Sequence, residues 1–133
     1  MAQETILLSQ GIEMPPDIQA LAHQMKPAEF DLRVLPVGTS PADIAAGMRE
    51  ADYLPGSLRF LPDEAFLEAK RLKLVQVLSA GYDAVNIAGA RKAKVPVCSN
   101  GGANSVAVAE HAVLLILAVY RKLTAFHQNV VAG

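Results

Sequence analysis

The sequence predicts an α/β fold built on a parallel sheet with helices on both faces. Three observations predict it. Short runs of apolar residues alternate with segments of helical period, as βα units do. The runs are apolar throughout, the pattern of strands covered on both sides. A hydrophobic content of 52% against 19% charged residues, over 133 residues, suits a domain with a substantial core.

Taken in order, Thr5–Ser9 is a short strand followed by the loop Gln10–Pro15. Pro16 opens a helix at the position where its missing N–H costs nothing, and Ile18, Leu21, Ala22 and Met25 recur at helical spacing to about Lys26. Leu32–Val37 is the second strand, and Pro36, which would break a central ladder, assigns it to an edge. Ser40, Pro41 and Asp43 start a helix with a capping serine, and Ile44 and Met48 point inward. Ala51–Leu54 is a short strand ending in the breakers Pro55 and Gly56. Pro62, Asp63 and Glu64 open a helix whose acids favour the positive end of its dipole, with Leu61, Phe66 and Ala69 as the inner stripe. The strand Leu72–Leu78, the turn Ser79–Asp83, a helix from Asn86 to about Lys94 and the strand Val95–Cys98 follow. After the small-residue loop Ser99–Ala103, one long apolar helix begins near Asn104. About five βα units in a doubly wound order of the flavodoxin type, 2-1-3-4-5, is the simplest arrangement.

Charge and cysteine content narrow the function. The formal net charge is -1, from 12 basic and 13 acidic residues without a block of either sign. Nucleic acid and anionic membrane are poor partners for such a chain. Val106–Tyr120 is the most apolar segment, but it carries Glu110 and His111 and falls short of the roughly 20 residues a spanning helix needs. Met1–Ser9 lacks the basic start of a signal peptide. Cys98 is the single cysteine and reads as a small core residue, so no disulfide or cysteine-based zinc site is expected within one chain. A reducing, cytoplasmic setting fits.

Ligands of such sheets bind beyond the carboxyl ends of the strands. The acids of a phospho-receiver are not found there, and Gln10–Pro16 is no phosphate loop for a flavin. G-x-G-x-x-G is absent throughout. What remains is the turn Ser79–Asp83 and the loop Ser99–Asn104. Gly81 permits close approach and positive φ, so successive amides at Ala80, Gly81 and Tyr82 could point at one anion the size of a carboxylate. On pattern alone a tight strand-to-helix turn is the favoured reading of these residues, and a helix cap the favoured reading of Asn104.

The run from Leu72 to Leu123 joins a strand ending in SAGYD, a strand VPVCSN and a helix opening NSVAVAEH. In these three features, in this order, it resembles the first domain of the D-isomer-specific 2-hydroxyacid dehydrogenases, a family that includes phosphoglycerate dehydrogenase, glyoxylate/hydroxypyruvate reductase and NAD-dependent formate dehydrogenase. The resemblance implies a flavodoxin-like substrate-binding domain over residues 1–103, then an interdomain-type helix and the start of a linker over 104–133. It also implies that Ser79, Ala80, Gly81 and Tyr82 hold the carboxylate of a small 2-hydroxy or 2-oxo acid, with Asn104 contacting substrate or bracing the cleft. Asn86 stands where the family often has Asp, and both cap well.

The family's glycine-rich NAD(P) loop and its catalytic Arg, Glu and His belong to a Rossmann domain that has no counterpart in these residues. No catalytic, cofactor-binding or metal-binding residue is therefore expected in the chain, NAD or NADP is expected only with that domain, and the chain by itself is expected to be inactive. Arg59 is the only basic residue of the loop Pro55–Leu61. The apolar helix Asn104–Phe126 is expected to pair with a second copy or a separate chain. Two alternatives are a stand-alone carboxylate-binding or regulatory module and a half-enzyme completed by a separately encoded Rossmann chain.

Overall fold

The computed structural model describes residues 3–58 and 60–133. They fall into two compact units, Met1–Asn100 and Gly101–Gly133. In the first, β1 (Glu4–Ser9) pairs in parallel with β2 (Phe30–Leu35) along its whole length, from Glu4↔Phe30 to Ser9↔Leu35. On its other side β1 meets β3 (Tyr53–Gly56), which pairs with β4 (Leu74–Val77), and β4 with the two-residue β5 (Val97–Cys98). The order is β2-β1-β3-β4-β5, all parallel, as the alternation of strand and helix predicts. Pro36 lies just beyond β2 on the sheet edge, where no neighbour needs its N–H.

The third strand sits two residues later than expected. Pro55 and Gly56 lie inside β3, and Pro55 is matched with Gln76. The ladder to β1 is matched only at Ile6↔Tyr53 and Ser9↔Gly56, and the gap between those pairs accommodates the missing Pro55 donor. Gly56 takes φ +141°, a backbone conformation closed to other residues, so the strand can end there against β1.

Helices α2 (Pro41–Met48), α3 (Asp63–Glu68) and α4 (Ile87–Ala93) build the core. Ile44, Met48, Ala65, Phe66 and Ala90 join Leu7, Leu54, Val75 and Val77 of the strands in one buried cluster. Ser40 caps α2 by accepting from Asp43 N–H at 3.1 Å, and its hydroxyl donates to the Asp43 carboxylate at 2.7 Å. Asn86 caps α4 by accepting from Gly89 N–H at 2.9 Å, while its amide donates to Leu61 O and to Asp63, fastening α4 to the start of α3. By contrast α1 (Pro16–Met25) buries nothing. Its apolar stripe stays open, with Ile18 44% and Leu21 46% exposed.

The second unit corrects the expectation of one long apolar helix from Asn104 to Phe126. Two helices form instead, α5 (Ser105–Tyr120) and α6 (Leu123–Ala132). Lys122 between them is left-handed, φ +49° and ψ 41°, and such a residue cannot continue a right-handed helix. The turn satisfies carbonyls at the end of α5: Arg121 N–H donates to Leu117 O at 2.8 Å and Lys122 N–H to Val119 O at 3.1 Å. Among the described residues, no helix is long and apolar enough to cross a membrane.

Candidate functional site

The carboxyl ends of β1, β3 and β4 are brought to one edge by main-chain bonds. Ser57 N–H donates to Ser9 O at 2.9 Å, and Leu78 N–H donates to Gly56 O at 3.3 Å. The Ser9 hydroxyl adds a bond to Ser57 O at 3.1 Å. Gly11 packs so tightly on Ser57 that a Cβ at position 11 would lie 2.5 Å from that of Ser57. These contacts fold the segment Gln10–Pro15 over the ends of β3 and β4.

The predicted turn leaves β4 at this edge. Ser79, Ala80, Gly81 and Tyr82 are all exposed, and among the described residues none of their N–H groups has a hydrogen-bond partner. The carbonyl side of the turn is fixed instead. Asn100 N–H donates to Ser79 O at 3.0 Å, its side chain reaches Leu78 O at 3.4 Å, and the Ser79 hydroxyl donates to Gly81 O at 2.7 Å. Four successive free donors on a pinned loop can take an anion.

Two details differ from expectation. Gly81 does not adopt positive φ, so the turn does not depend on glycine for its handedness. A Cβ there would instead meet an Asp83 carboxylate oxygen at 3.3 Å, which brings a negative charge beside the amides. Asn104 belongs to the second unit. It holds the cap position of α5 without a side-chain capping bond, and the Ser105 hydroxyl donates to Gly102 O at 2.9 Å in that turn. Arg59 lies outside the described residues. Cys98, expected in the core, is exposed where β5 ends.

Sequence reasoning missed the loop after β1. A cavity of about 430 Å³ opens under it, walled by Leu8, Ile12, Met14, Pro15 and Leu78 and reaching Ser79. Gln10 also lines it, and the Gln10 amide nitrogen is buried with no hydrogen-bond partner. Such orphans are uncommon in native proteins and mark strain or a functional region. The local signal was Gly11, a residue needed for close approach to a loop nearly fifty positions away.

The charged groups gather at the opposite, amino end of the sheet. Asp52 is buried and accepts from Thr5 N–H at 3.0 Å and from Arg71 at 2.7 Å. Burial alone would raise its pKa, but these bonds, with Lys73 nearby, hold the carboxyl below its ordinary range. Glu4 is lowered by bonds from Lys73 and Tyr53, and Lys73 is raised in turn by Glu4. Each acid has a cation, which identifies a structural ion network. Among the described residues, no cluster of His, Cys, Asp and Glu could hold a metal ion.

Comparison with known proteins agrees with this fold. The family profile described as D-isomer specific 2-hydroxyacid dehydrogenase, catalytic domain, matches residues 6–132. A formate dehydrogenase of Chaetomium thermophilum is 36% identical over 76 residues, which cover 56% of this chain and 20% of that protein. A 2-hydroxyacid dehydrogenase from Ketogulonicigenium vulgare superposes with a TM-score of 0.71 at 20% identity, covering 100% of this chain and 41% of that one. The NAD complex of an NAD-dependent formate dehydrogenase from Staphylococcus aureus gives a TM-score of 0.67 at 20% identity, over 96% of this chain and 42% of that one. The chain thus spans about two fifths of the length of these solved structures.

Proposed function

Because the chain belongs to the D-isomer specific 2-hydroxyacid dehydrogenase catalytic-domain family, we propose that it is the substrate-binding part of an NAD(P)-dependent enzyme moving hydride between nicotinamide and a small 2-hydroxy or 2-oxo acid. The observation that carries this reading is the exposed turn Ser79–Tyr82, whose free amides stand at the carboxyl edge of the sheet. There they hold the substrate carboxylate, a fixed negative charge that needs donors but no proton transfer. The family resemblance alone assigns Asn104, in the second unit, a contact with substrate.

The residues present do not fit a dinucleotide. The turn between β1 and α1, Gln10–Pro15, has neither a glycine-rich phosphate cradle nor a basic group, and its cavity is largely apolar. Nicotinamide, the Arg that orients the substrate and the acid–base His are therefore assigned to a Rossmann domain outside these residues. The share of this chain is binding and orientation. Residues 1–103 form the substrate domain and 104–133 the interdomain element. The many apolar side chains of α5, none of them buried, support pairing of that helix with another copy in a cytoplasmic enzyme.

The test is reduction of glyoxylate, hydroxypyruvate and pyruvate, with NADH or NADPH, by the protein expressed from its locus through the next stop codon. The 133-residue chain is the control. Turnover in the longer product alone supports the reading. If the locus ends at Gly133 and an adjacent Rossmann chain restores turnover, the protein is half of a two-chain enzyme. Absence of turnover in every combination overturns the dehydrogenase assignment.

A further inference from the structure

The cavity beneath the loop after β1 is much larger than a one- or two-carbon acid requires, and at about 430 Å³ it falls within the range of small-molecule pockets. Its walls are largely apolar. Ile12 is 83% exposed and Leu78 53% exposed, so both present hydrocarbon at the cavity with little protein covering them. The charged side chain on its described lining is Glu13, which repels a second anion. The Gln10 amide nitrogen is sealed from solvent and offers a ligand no donor. The cavity also runs to Ser79, the first residue of the turn whose amides are free. An apolar space adjoining an anion-binding turn fits a molecule with a carboxylate at one end and a hydrocarbon chain at the other.

We infer that the substrate is a 2-oxo or 2-hydroxy acid with an uncharged, apolar side chain of several carbons, and that this chain lies against Leu8, Ile12, Met14 and Leu78. The inference rests on the proposal that the turn at Ser79 holds the carboxylate, and it adds what lies beyond that group. It separates this protein from relatives whose substrate has no side chain and from any that take a phosphorylated or dicarboxylic acid. Selection comes from displaced water: each methylene buried against the wall adds affinity, while a terminal charge would lose its hydration beside Glu13.

The test is an NMR titration of the 133-residue chain, reading backbone amides and side-chain methyls, with glyoxylate, pyruvate, 2-oxobutyrate, 2-oxohexanoate and 2-oxoglutarate. The expected result is a dissociation constant falling about fourfold per methylene from pyruvate to 2-oxohexanoate, with shifts at the Ile12 and Met14 methyls. 2-Oxoglutarate binds about tenfold more weakly than 2-oxohexanoate. Substitution Ile12→Asn, at a position too exposed to threaten the fold, lowers the gain to about twofold per methylene. Shifts at Ser79–Gly81 report separately on the carboxylate. A flat series with those shifts present overturns the side-chain pocket and leaves the carboxylate reading standing. Methyl shifts without them remove the carboxylate reading and, with it, the premise of this inference. No shift at Ile12 and Met14 with 2-oxohexanoate, or tighter binding of 2-oxoglutarate, overturns the inference whatever the turn does.

Discussion

Replacing Gly56 by alanine tests the contact that shapes the functional edge. A Cβ at position 56 would stand 2.1 Å from Ser9 O, 2.8 Å from Ser9 N and 2.9 Å from Ser9 C. These are main-chain atoms of the neighbouring strand and cannot swing aside as a side chain can. Alanine must therefore leave φ +141° or part β3 from β1. Holding a non-glycine residue in that region costs about 1–3 kcal/mol. Parting the strands sacrifices the bonds from Ser57 N–H to Ser9 O and from the Ser9 hydroxyl to Ser57 O, at about 1 kcal/mol each. Because the clash with Ser9 remains while φ is kept, an alanine held in that region also parts the strands, and the expected loss is about 3–5 kcal/mol, a large part of the roughly 5–15 kcal/mol available to a domain. Gly38→Ala is the control. Its φ is +84°, but nothing lies within 4 Å of the added carbon, so backbone conformation alone is charged, about 1 kcal/mol. Urea unfolding followed by far-ultraviolet circular dichroism measures both variants. A Gly56→Ala protein within about 1 kcal/mol of the parent, or no less stable than Gly38→Ala, would refute the reasoning.

Three further outcomes are expected. Asp52→Asn weakens the bonds to Thr5 N–H and Arg71 and lowers stability at pH 7 by about 1–3 kcal/mol. Because the folded pKa of Asp52 lies below its unfolded value of about 3.9, the parent keeps this stability above that pH and loses it as pH falls through the folded pKa. Unfolding midpoints between neutral and acid pH then show a flatter acid limb for the variant, and equal limbs would count against the network. Gln10→Met removes a buried amide nitrogen that has no partner and raises stability by about 1 kcal/mol in the same urea assay; a loss of that size would mean the amide is satisfied. Asp83→Asn removes the charge beside Gly81 and tightens glyoxylate binding about two- to fourfold in calorimetry at low salt, with the gain shrinking as salt rises. Unchanged or weaker binding would place the carboxylate elsewhere.

Local pattern carried most of the fold. Apolar runs separated by helical segments predict the parallel order, and Pro36 predicts which strand stands at the edge. Ser40 and Asn86 mark helix starts because a cap is a bond between near neighbours. The misses came from the same source. Pro55 and Gly56 look like breakers locally, yet β1 and β4 hold them in a strand. The break at Lys122 has no proline or glycine to announce it, only a lysine in the left-handed region. Of the candidate site, the turn Ser79–Tyr82 was legible as a strand end with a glycine. The cavity was not, because its walls come from the ends of three strands and from a loop held by Gly11 against Ser57.

The two ends of the sheet are built by different means. At the amino end, Glu4, Asp52, Tyr53, Arg71 and Lys73 pair with one another and with Thr5 N–H, so every buried charge there has a partner. At the carboxyl end the strands are joined by main-chain bonds and by one glycine whose conformation other residues cannot share. Two side chains, Ser9 and Asn100, add bonds to Ser57 O and Leu78 O, and no ion pair is found at this edge among the described residues. The free amides of Ser79–Tyr82, the unsatisfied Gln10 and the uncovered Ile12 all lie on that side. Water satisfies the exposed amides of Ser79–Tyr82, so of these groups the buried Gln10 nitrogen and the bare hydrocarbon of Ile12 carry the cost in free energy. Under the proposed function, a ligand with a carboxylate and an apolar chain would take up the turn amides and cover Ile12, at an edge whose stability the ion network at the far end does not depend on.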